Sequence, residues 1–596
     1  MVRTLPARTK FGLVAVLVFL AAALAFAVFQ ACRSLLYNEA PEAAKISMAP
    51  ELAFKPPEPV NDPRALRGYT LFAPLESKET YLIDMEGRVV HSWQTDSTPG
   101  MDARLLENGH LLRPETVGGF RPEFSPGAGG RVQELAWDGK VVWDFTWHGK
   151  NQIAHHDVCK LPNGNVLMIV SERKYSKEAL AAGRKPELLG AGYLLPDCVV
   201  EVKPTGATTG AVVWEWHLWD HLVQDHAPER ANYGNVAAHP ELIDVNFGEG
   251  AMIDLGGNDD DAIKKLQSLG YVGASPPGKK LLRDWTHTNS VAYHAALDQV
   301  MLSVSGFSEI WIIDHSTTTA QAVGHRGGRY GKGGDLLYRW GNPQAYRAGA
   351  AVAQQLGRQH DAHWIPRGLP GEGHVLLFNN GRGRPGPDGR YSSVDEIVLP
   401  VDREGHYTLK PGAAYGPDKP VWSYSAPRKS DLFAPIMSSA QRLSNGNTLV
   451  CSGRGIIFEV TADKQTVWSY VNPVGSGPAI AGGAGDGPWA DAGFSTRQDV
   501  MLTAFEVPGG AKLLEHSFAN QPKATALTST PLGRRLAFLP VAWCGDFGSF
   551  VAQGPAPEPE IMRDRAPLFR ARRYAPSYPG LAGKDLRPGK KLEELQ

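Results

Sequence analysis

Six stretches of this chain end alike: VVHSW (89–93), VVWDF (141–145), VVWEW (212–216), LLYRW (336–340), PVWSY (420–424) and TVWSY (466–470). Each runs apolar pair, aromatic or His, polar residue, aromatic. Most follow a turn such as DMEGR, AWDGK or TADKQ. A second element recurs between them as LLENGHLL, LPNGNVLM, GEGHVLLF and LSNGNTLV, with looser versions at DQVMLSV and PGGAKLLEH. It reads as a tight hairpin turn feeding a β-branched strand. One supersecondary unit repeated six times means stacked sheets, so the expected fold is all-β, a six-bladed β-propeller. The repeat accounts for 596 residues as one large unit. The 65 Gly and 45 Pro serve its turns, and 15 Trp suit a motif in which an indole packs between neighbouring sheets.

The ends of the chain depart from the repeat. Arg3, Arg8 and Lys10 precede an uncharged apolar run over residues 12–31, long enough to span a bilayer. Residues 1–32 are therefore expected to be a signal anchor, with a cleaved signal peptide as the alternative. This places the bulk of the chain outside the cytoplasm, periplasmic or at the cell surface, anchored in the inner membrane. Residues 33–67 read as a linker. Residues 68–596 read as the propeller, with insertions at 226–284 and 472–565. Within the first insertion, DDDAIKKLQSLGYV has an acidic start, Ile263, Leu266 and Leu269 on one face, and Gly270 as a stop, which predicts a short helix.

The first VW motif lacks a preceding hairpin, and the last hairpin lacks a following VW motif. Residues 69–93 and 500–516 are thus expected to complete one blade from both chain ends and remove the open edges. The tail from Pro567 is expected to pack on the propeller wall. Cys159 and Cys198 either pair or remain buried thiols. A net charge of −1 gives no footprint for nucleic acid, and the basic clusters at Arg570–Arg573 and Lys590–Lys591 read as solvated surface.

A propeller gathers loops of distant blades around its channel, so polar residues at equivalent repeat positions can meet there. AHHDV holds His155, His156 and Asp157; DWTHTNS holds His287 and Asn289; RQHDAHW holds Arg358, His360, Asp361 and His363. In each, a His precedes the hairpin element by a similar distance. Such imidazoles ligate metals or act as acid, base or nucleophile. Within these three segments no H-x-x-x-H or C-x-x-C spacing supports a metal, and none is expected among them. His217 and His221 in WEWHLWDH are expected at a blade exit. Trp216, Trp219, Trp285 and Trp311 either line a slot for a planar ligand or pack blades.

These segments resemble a family, the bacterial arylsulfotransferases that use aryl sulfate esters as donors. The likeness is carried by AHHDVCKLPNGNVLM, DWTHTNSVAYHAALDQVMLSV, RQHDAHWIP with LLFNNGRGR, SSAQRLSNGNTLVC and FRARRYAPSYPGLAG, and spans roughly 68–585. The DW-x-H-x-NS segment is its most specific part. The resemblance implies a six-bladed propeller and ping-pong sulfuryl transfer through a sulfohistidine. It implies His360 as the nucleophile. His287 would bind the sulfuryl oxygens with Asn289 beside it, and His156 would be a third His that helps bind sulfate and moves protons for the phenol. Arg358, His363 and Arg382 join them as substrate-binding candidates. No cofactor is implied; the partners are a small-molecule aryl sulfate donor and a phenolic acceptor. One position departs from the family pattern: Ser305 stands where an Arg is expected, and Arg358, or Arg382 and Arg384 of NNGRGR, are the candidates to replace its charge. Two further readings stand beside this one, a non-catalytic ligand- or protein-binding propeller and a metal-assisted hydrolase using the same histidines.

Overall fold

The computed structural model describes residues 61–595, except 118–126, 128, 190–191, 249–282, 385–389 and 475–566; within the last stretch only the backbone of five short strands is described. The expected membrane span at 12–31, the linker up to residue 60 and the helix expected within 259–272 lie outside the described residues. No described helix is long and apolar enough to cross a membrane.

Six four-stranded antiparallel sheets form the blades. From the innermost strand outward, blade two is Arg104–Leu105, Leu111–Thr116, Gly130–Leu135 and Val141–Thr146; blade three is Gln152–Lys160, Val166–Glu172, Asp197–Gly206 and Thr209–His217. Blade four is Thr288–His294, Gln299–Val304, Glu309–Asp314 and Tyr338–Trp340. Blade five is His360–Trp364, Val375–Asn379, Ser393–Ile397 and Trp422–Tyr424. Blade six is Ser439–Arg442, Thr448–Ser452, Ile456–Val460 and Thr466–Val471. The central strands are buried on both faces, which is why VLMIVSE, QVMLSV and EIWIID read as continuous apolar runs.

The VW motif is the outermost strand of each blade, and its tryptophan explains the repetition. The indole N–H of Trp93 reaches the Ala136 carbonyl of blade two, Trp143 reaches Thr209 O of blade three, and Trp214 reaches Thr317 Oγ1 of blade four. Trp340, Trp422 and Trp468 continue the pattern to Pro417 O, Ala462 O and Met85 O, the last returning to blade one. A buried indole must place its N–H on an acceptor. Here each does so across a blade boundary, at about 1 kcal/mol per bond beyond the area it covers.

Blade one closes the ring, but not as the sequence suggests. Its outer strands are Tyr69–Pro74, Glu79–Ile83 and Val89–Gln94, and its innermost strand is Leu568–Tyr574, antiparallel to Tyr69–Pro74 with Tyr69 opposite Tyr574. Strand Lys512–Phe518 pairs with Val500–Glu506 on one side and Ala524–Leu527 on the other, in a separate three-stranded sheet. The reason is one of strand count. The N-terminal segment already supplies three strands, so a hairpin from 500–516 would make five, whereas one strand completes four. The tail therefore enters the core instead of lying on the wall. Arg570 and Arg573, expected on the surface, are 4% and 2% exposed, while Lys590 and Lys591 are exposed as expected.

Asn61 bridges to Trp468, and the Asp62 N–H donates to Val467 O, so residues 61–67 already run against blade six. Cys159 and Cys198 are free thiols. Trp216, Trp285 and Trp311 are buried at 1% exposure or less and serve blade packing.

Candidate active site

The innermost strands of blades three, four and five each carry a break in regular pairing, mid-strand in blade three and at the start in the other two. Register slips fall between His155 and Val158, Thr288 and Ser290, and His360 and His363. Left-handed backbone accompanies each slip: His156 has φ 56°, His287 φ 47° and Asp361 φ 55°. A non-glycine residue there costs about 1–2 kcal/mol. Bulges re-aim side chains, and such strain gathers where function requires it.

The re-aimed rings converge. The His156 and His287 centroids are 4.8 Å apart and edge to face; Phe569 of the closing strand lies 5.9 Å from His156 and 6.0 Å from His360. Gly127 passes directly over His156 with φ +80°; a Cβ there would sit 2.7 Å from the imidazole.

Each ring is pinned through Nδ1. For His360, Nδ1 lies 2.8 Å from Asn380 Oδ1. The Asn380 amide donates to Ala434 O and Met437 O, so its oxygen must be the end facing His360, which therefore carries its proton on Nδ1. Nε2 keeps its lone pair, and the Met437 N–H donates to it at 3.2 Å. His287 Nδ1 donates to Asp284 Oδ2 at 2.5 Å. For His156, Nδ1 meets His155 Nδ1 at 2.7 Å, and His155 Nε2 donates to Asp197 Oδ1 at 3.0 Å. A carboxylate thus orients His155, which orients His156. All three rings turn Nε2 away from these anchors.

Burial pulls His360 down to about 3, although the Asn380 bond opposes it, and the nearby His287 and Arg570 charges add to the fall. Burial, then the charges of His287, His155 and His360, hold His156 well below the ordinary imidazole value. Both rings are neutral at any ordinary pH.

A charged network lies beside the rings. Arg570 Nη1 donates to Asp102 at 2.9 Å and Asp157 at 3.1 Å, with Nε 3.0 Å from Asp361. Arg104 bonds Asp102 and Asp157, both at 2.7 Å, and Arg572 lies 3.6 Å from Asp102. Three guanidinium groups thus offset three carboxylates. Burial disfavours the Arg570 charge, but the three carboxylates outweigh it and hold its pKa up. Arg570 Nη2 is buried with no hydrogen-bond partner.

The sequence candidates separate on this map. His156, His287 and His360 come together. Arg358 joins them: its carbonyl accepts from His360 Nδ1 at 3.2 Å, burial lowers its pKa, and Asp284 pulls the other way. Asn289 does not face the rings; its Nδ2 donates to Gln359 O of the next blade, and Oδ1 is buried without a partner. His363 turns to the Asp361 carbonyl, and Arg572 and Arg570 act on it, so it belongs to the charged network. Arg382 meets Gly357, next to Arg358, through its backbone N–H, and Arg384 stacks over Tyr391 and bonds Ser393. Ser305 donates its N–H to His287 O, so no charge stands at that position. Sequence reasoning missed Asn380, Asp284, Phe569 and Arg570. The alternating FRARRY pattern, two Arg on one strand face, was the available signal for the last.

Among the described residues, Glu172–Cys198–His217 and His221–His325–Asp335 are the donor groups close enough to hold a metal ion; the three channel histidines belong to neither.

Fold and site together define a six-bladed β-propeller whose channel carries three fixed imidazoles beside a buried guanidinium. The chain belongs to the arylsulfotransferase (ASST) family, whose model matches residues 61–476. It is 24% identical over 399 residues to the arylsulfate sulfotransferase AssT of Lelliottia amnigena and 23% identical over 402 residues to that of Escherichia coli O6:H1. Each match takes in 64% of this chain and 58% of the relative. Among solved structures, the periplasmic gluconolactonase PpgL of Pseudomonas aeruginosa is similar over 85% of this chain and 99% of its own, at 11% identity and a TM-score of 0.31, a likeness too slight to build on.

Proposed function

We propose that the protein transfers a sulfuryl group from an aryl sulfate ester to a phenolic acceptor in two steps, through His360 Nε2. The observation that carries this reading is the Asn380–His360 pair. It fixes the proton on Nδ1 and leaves a neutral, desolvated lone pair on Nε2, held at rest by the Met437 N–H, which sulfur must displace.

In the first step the Nε2 lone pair attacks sulfur. The N–S bond forms as the ester S–O bond breaks, and the departing phenolate takes a proton. His287 is best fitted to give it, since Asp284 on its Nδ1 stabilises the imidazolium that must precede the gift. The sulfonated ring keeps its Nδ1–H on Asn380. In the second step His287 takes the proton of the acceptor phenol, whose oxygen attacks sulfur and returns His360 to its neutral form. Splitting transfer in this way replaces one hard displacement by two easier ones.

The sulfuryl oxygens need fixed positive charge, and Ser305 offers none. Arg570, with its unpartnered Nη2, and Arg358 are the groups we assign to that task. His156, neutral and braced by His155, completes the oxygen-facing wall.

Incubation with a chromogenic aryl sulfate, without acceptor, should leave one SO3 unit on the peptide containing His360, and adding a phenol should discharge it. A label elsewhere, or full transfer by a folded His360→Asn variant, overturns the assignment. We further place the propeller outside the cytoplasm, tethered by residues 12–31, on the charge and hydropathy of that segment. Protease reaching the propeller in cells with a permeabilised outer envelope would support this; complete protection there would refute it.

A further inference from the structure

A second cluster stands where the outer strands of blades three and four turn back. His221 ends the short helical turn Leu218–His221 that follows the outermost strand of blade three. His325 and Asp335 flank the loop HRGGRYGKGGD that precedes the outermost strand of blade four. His221 and Asp335 are buried, at 0% and 6% exposure, while the His325 side chain is 58% exposed.

The hydrogen-bonding arithmetic at His221 does not close with a neutral ring facing an ionised carboxylate. Nε2 lies 2.8 Å from the Ala322 carbonyl, so it carries a proton. Nδ1 is then a lone pair, yet it lies 2.8 Å from Asp335 Oδ1, another acceptor. His325 Nδ1 meets the same oxygen at 2.7 Å. A cation must sit among these three atoms, either one extra proton shared by His221 and Asp335 or a metal ion. An imidazole whose far N–H is spent on a backbone carbonyl, with its near lone pair facing a carboxylate, has the outer arrangement of a metal ligand.

We propose that His221 Nδ1, His325 Nδ1 and an Asp335 carboxylate oxygen bind one zinc-like divalent transition ion, with water on the exposed His325 side as a fourth ligand. Two imidazoles and a carboxylate suit zinc in a four-coordinate site with an open position. Donors tetrahedrally placed about zinc lie roughly 3.3 Å apart given the usual bond lengths. The pairs must therefore spread by about half an ångström, which the exposed His325 can supply.

The role is structural. The loop carries glycines 327, 328, 331, 333 and 334, the first four in left-handed conformation, and such a segment loses much entropy on ordering. Trp216 stacks on His221 at 5.7 Å and donates to Gly334 O, and a Cβ on Gly334 would lie 2.6 Å from His221 Nε2. One ion would fasten this loop to blade three, away from the innermost strands that carry the channel histidines.

The test is zinc titration of chelator-treated full-length protein by calorimetry, with cobalt(II) as a spectroscopic probe. One equivalent should bind, raise the thermal midpoint and be lost in His325→Ala and Asp335→Asn but kept in Cys198→Ser. The first change is at an exposed position and should fold. Cobalt should give a tetrahedral spectrum with no sulfur-to-metal charge-transfer band. Absence of stoichiometric uptake, uptake unchanged in His325→Ala, or uptake lost with Cys198 overturns the site; a proton between His221 and Asp335 then accounts for their contact.

Discussion

At the scale of single residues, the site works by settling which nitrogen of each ring holds a proton. Asn380 does this for His360 without bringing a charge. Replacing it by Ala should leave folding intact and cut kcat of sulfuryl transfer by about 10–100-fold, as loss of a ligand-orienting partner does, with little change in KM. Asn380→Asp is more informative. A carboxylate on Nδ1 stabilises the imidazolium and raises the His360 pKa from about 3. The acid limb of kcat/KM should therefore move to higher pH in this variant, and a profile identical to that of the parent would argue against His360 as nucleophile.

The same rings tie stability to pH. His156, His360 and His363 have folded pKa values below their unfolded ones. The unfolded chain takes up protons as pH falls through about 6.5 while the folded one does not. Their contribution is whole above that pH and is lost below it, for His360 down towards 3. His217 and His315, raised once the hydrogen bonds and charges of their carboxylates outweigh burial, act in the opposite sense and lose their share as pH climbs. Denaturant unfolding between pH 6 and 4 should show a slope that His360→Asn lowers by about 1.4 kcal/mol per pH unit.

At the scale of elements, the outer strands hold the ring through their indoles. Trp143→Phe keeps most of the packing and loses the bond to Thr209 O, so it should cost about 1 kcal/mol, while Trp143→Ala should cost about 3–5. No loss in Trp143→Phe, measured by urea unfolding, would show that the N–H bond contributes nothing. The repeat was legible because both its parts are local: a turn such as PNGN and an aromatic five residues wide can be read without knowing any partner. The histidines were legible because the repeat puts them at equivalent strand starts. What decides their proton positions was less so: Asn380 and Asp197 reach them from elsewhere in the same blades, 20 and 42 residues along the chain, while Asp284, three residues before His287, was within reach of the motif. The strand Leu568–Tyr574 was misread for a plain reason. Three Arg in seven residues look solvated until Asp102, Asp157 and Asp361, one from each of three blades, are found facing Arg570.

At the scale of the whole molecule, Arg570 links blade one to blades two, three and five through a single guanidinium. Arg570→Met would leave buried carboxylates without their partner, and the cost should be about 3–5 kcal/mol. Adding Asp361→Asn to it should give less than the sum of the two losses, which a double-mutant cycle by denaturant unfolding would read out. Strict additivity would show that the pair does not interact.

The strand that shuts the ring is made long after the strand it pairs with. Blades two to six can form as they are made, but Tyr69–Pro74 must wait about 500 residues for its neighbour Leu568–Tyr574. Phe569 and Arg570 arrive with that neighbour. A nascent chain therefore holds its histidines in a half-built cleft, and competence comes only once Leu568–Tyr574 has emerged. A premature stop between blade six and this strand yields a nearly complete scaffold with an unfinished reaction chamber.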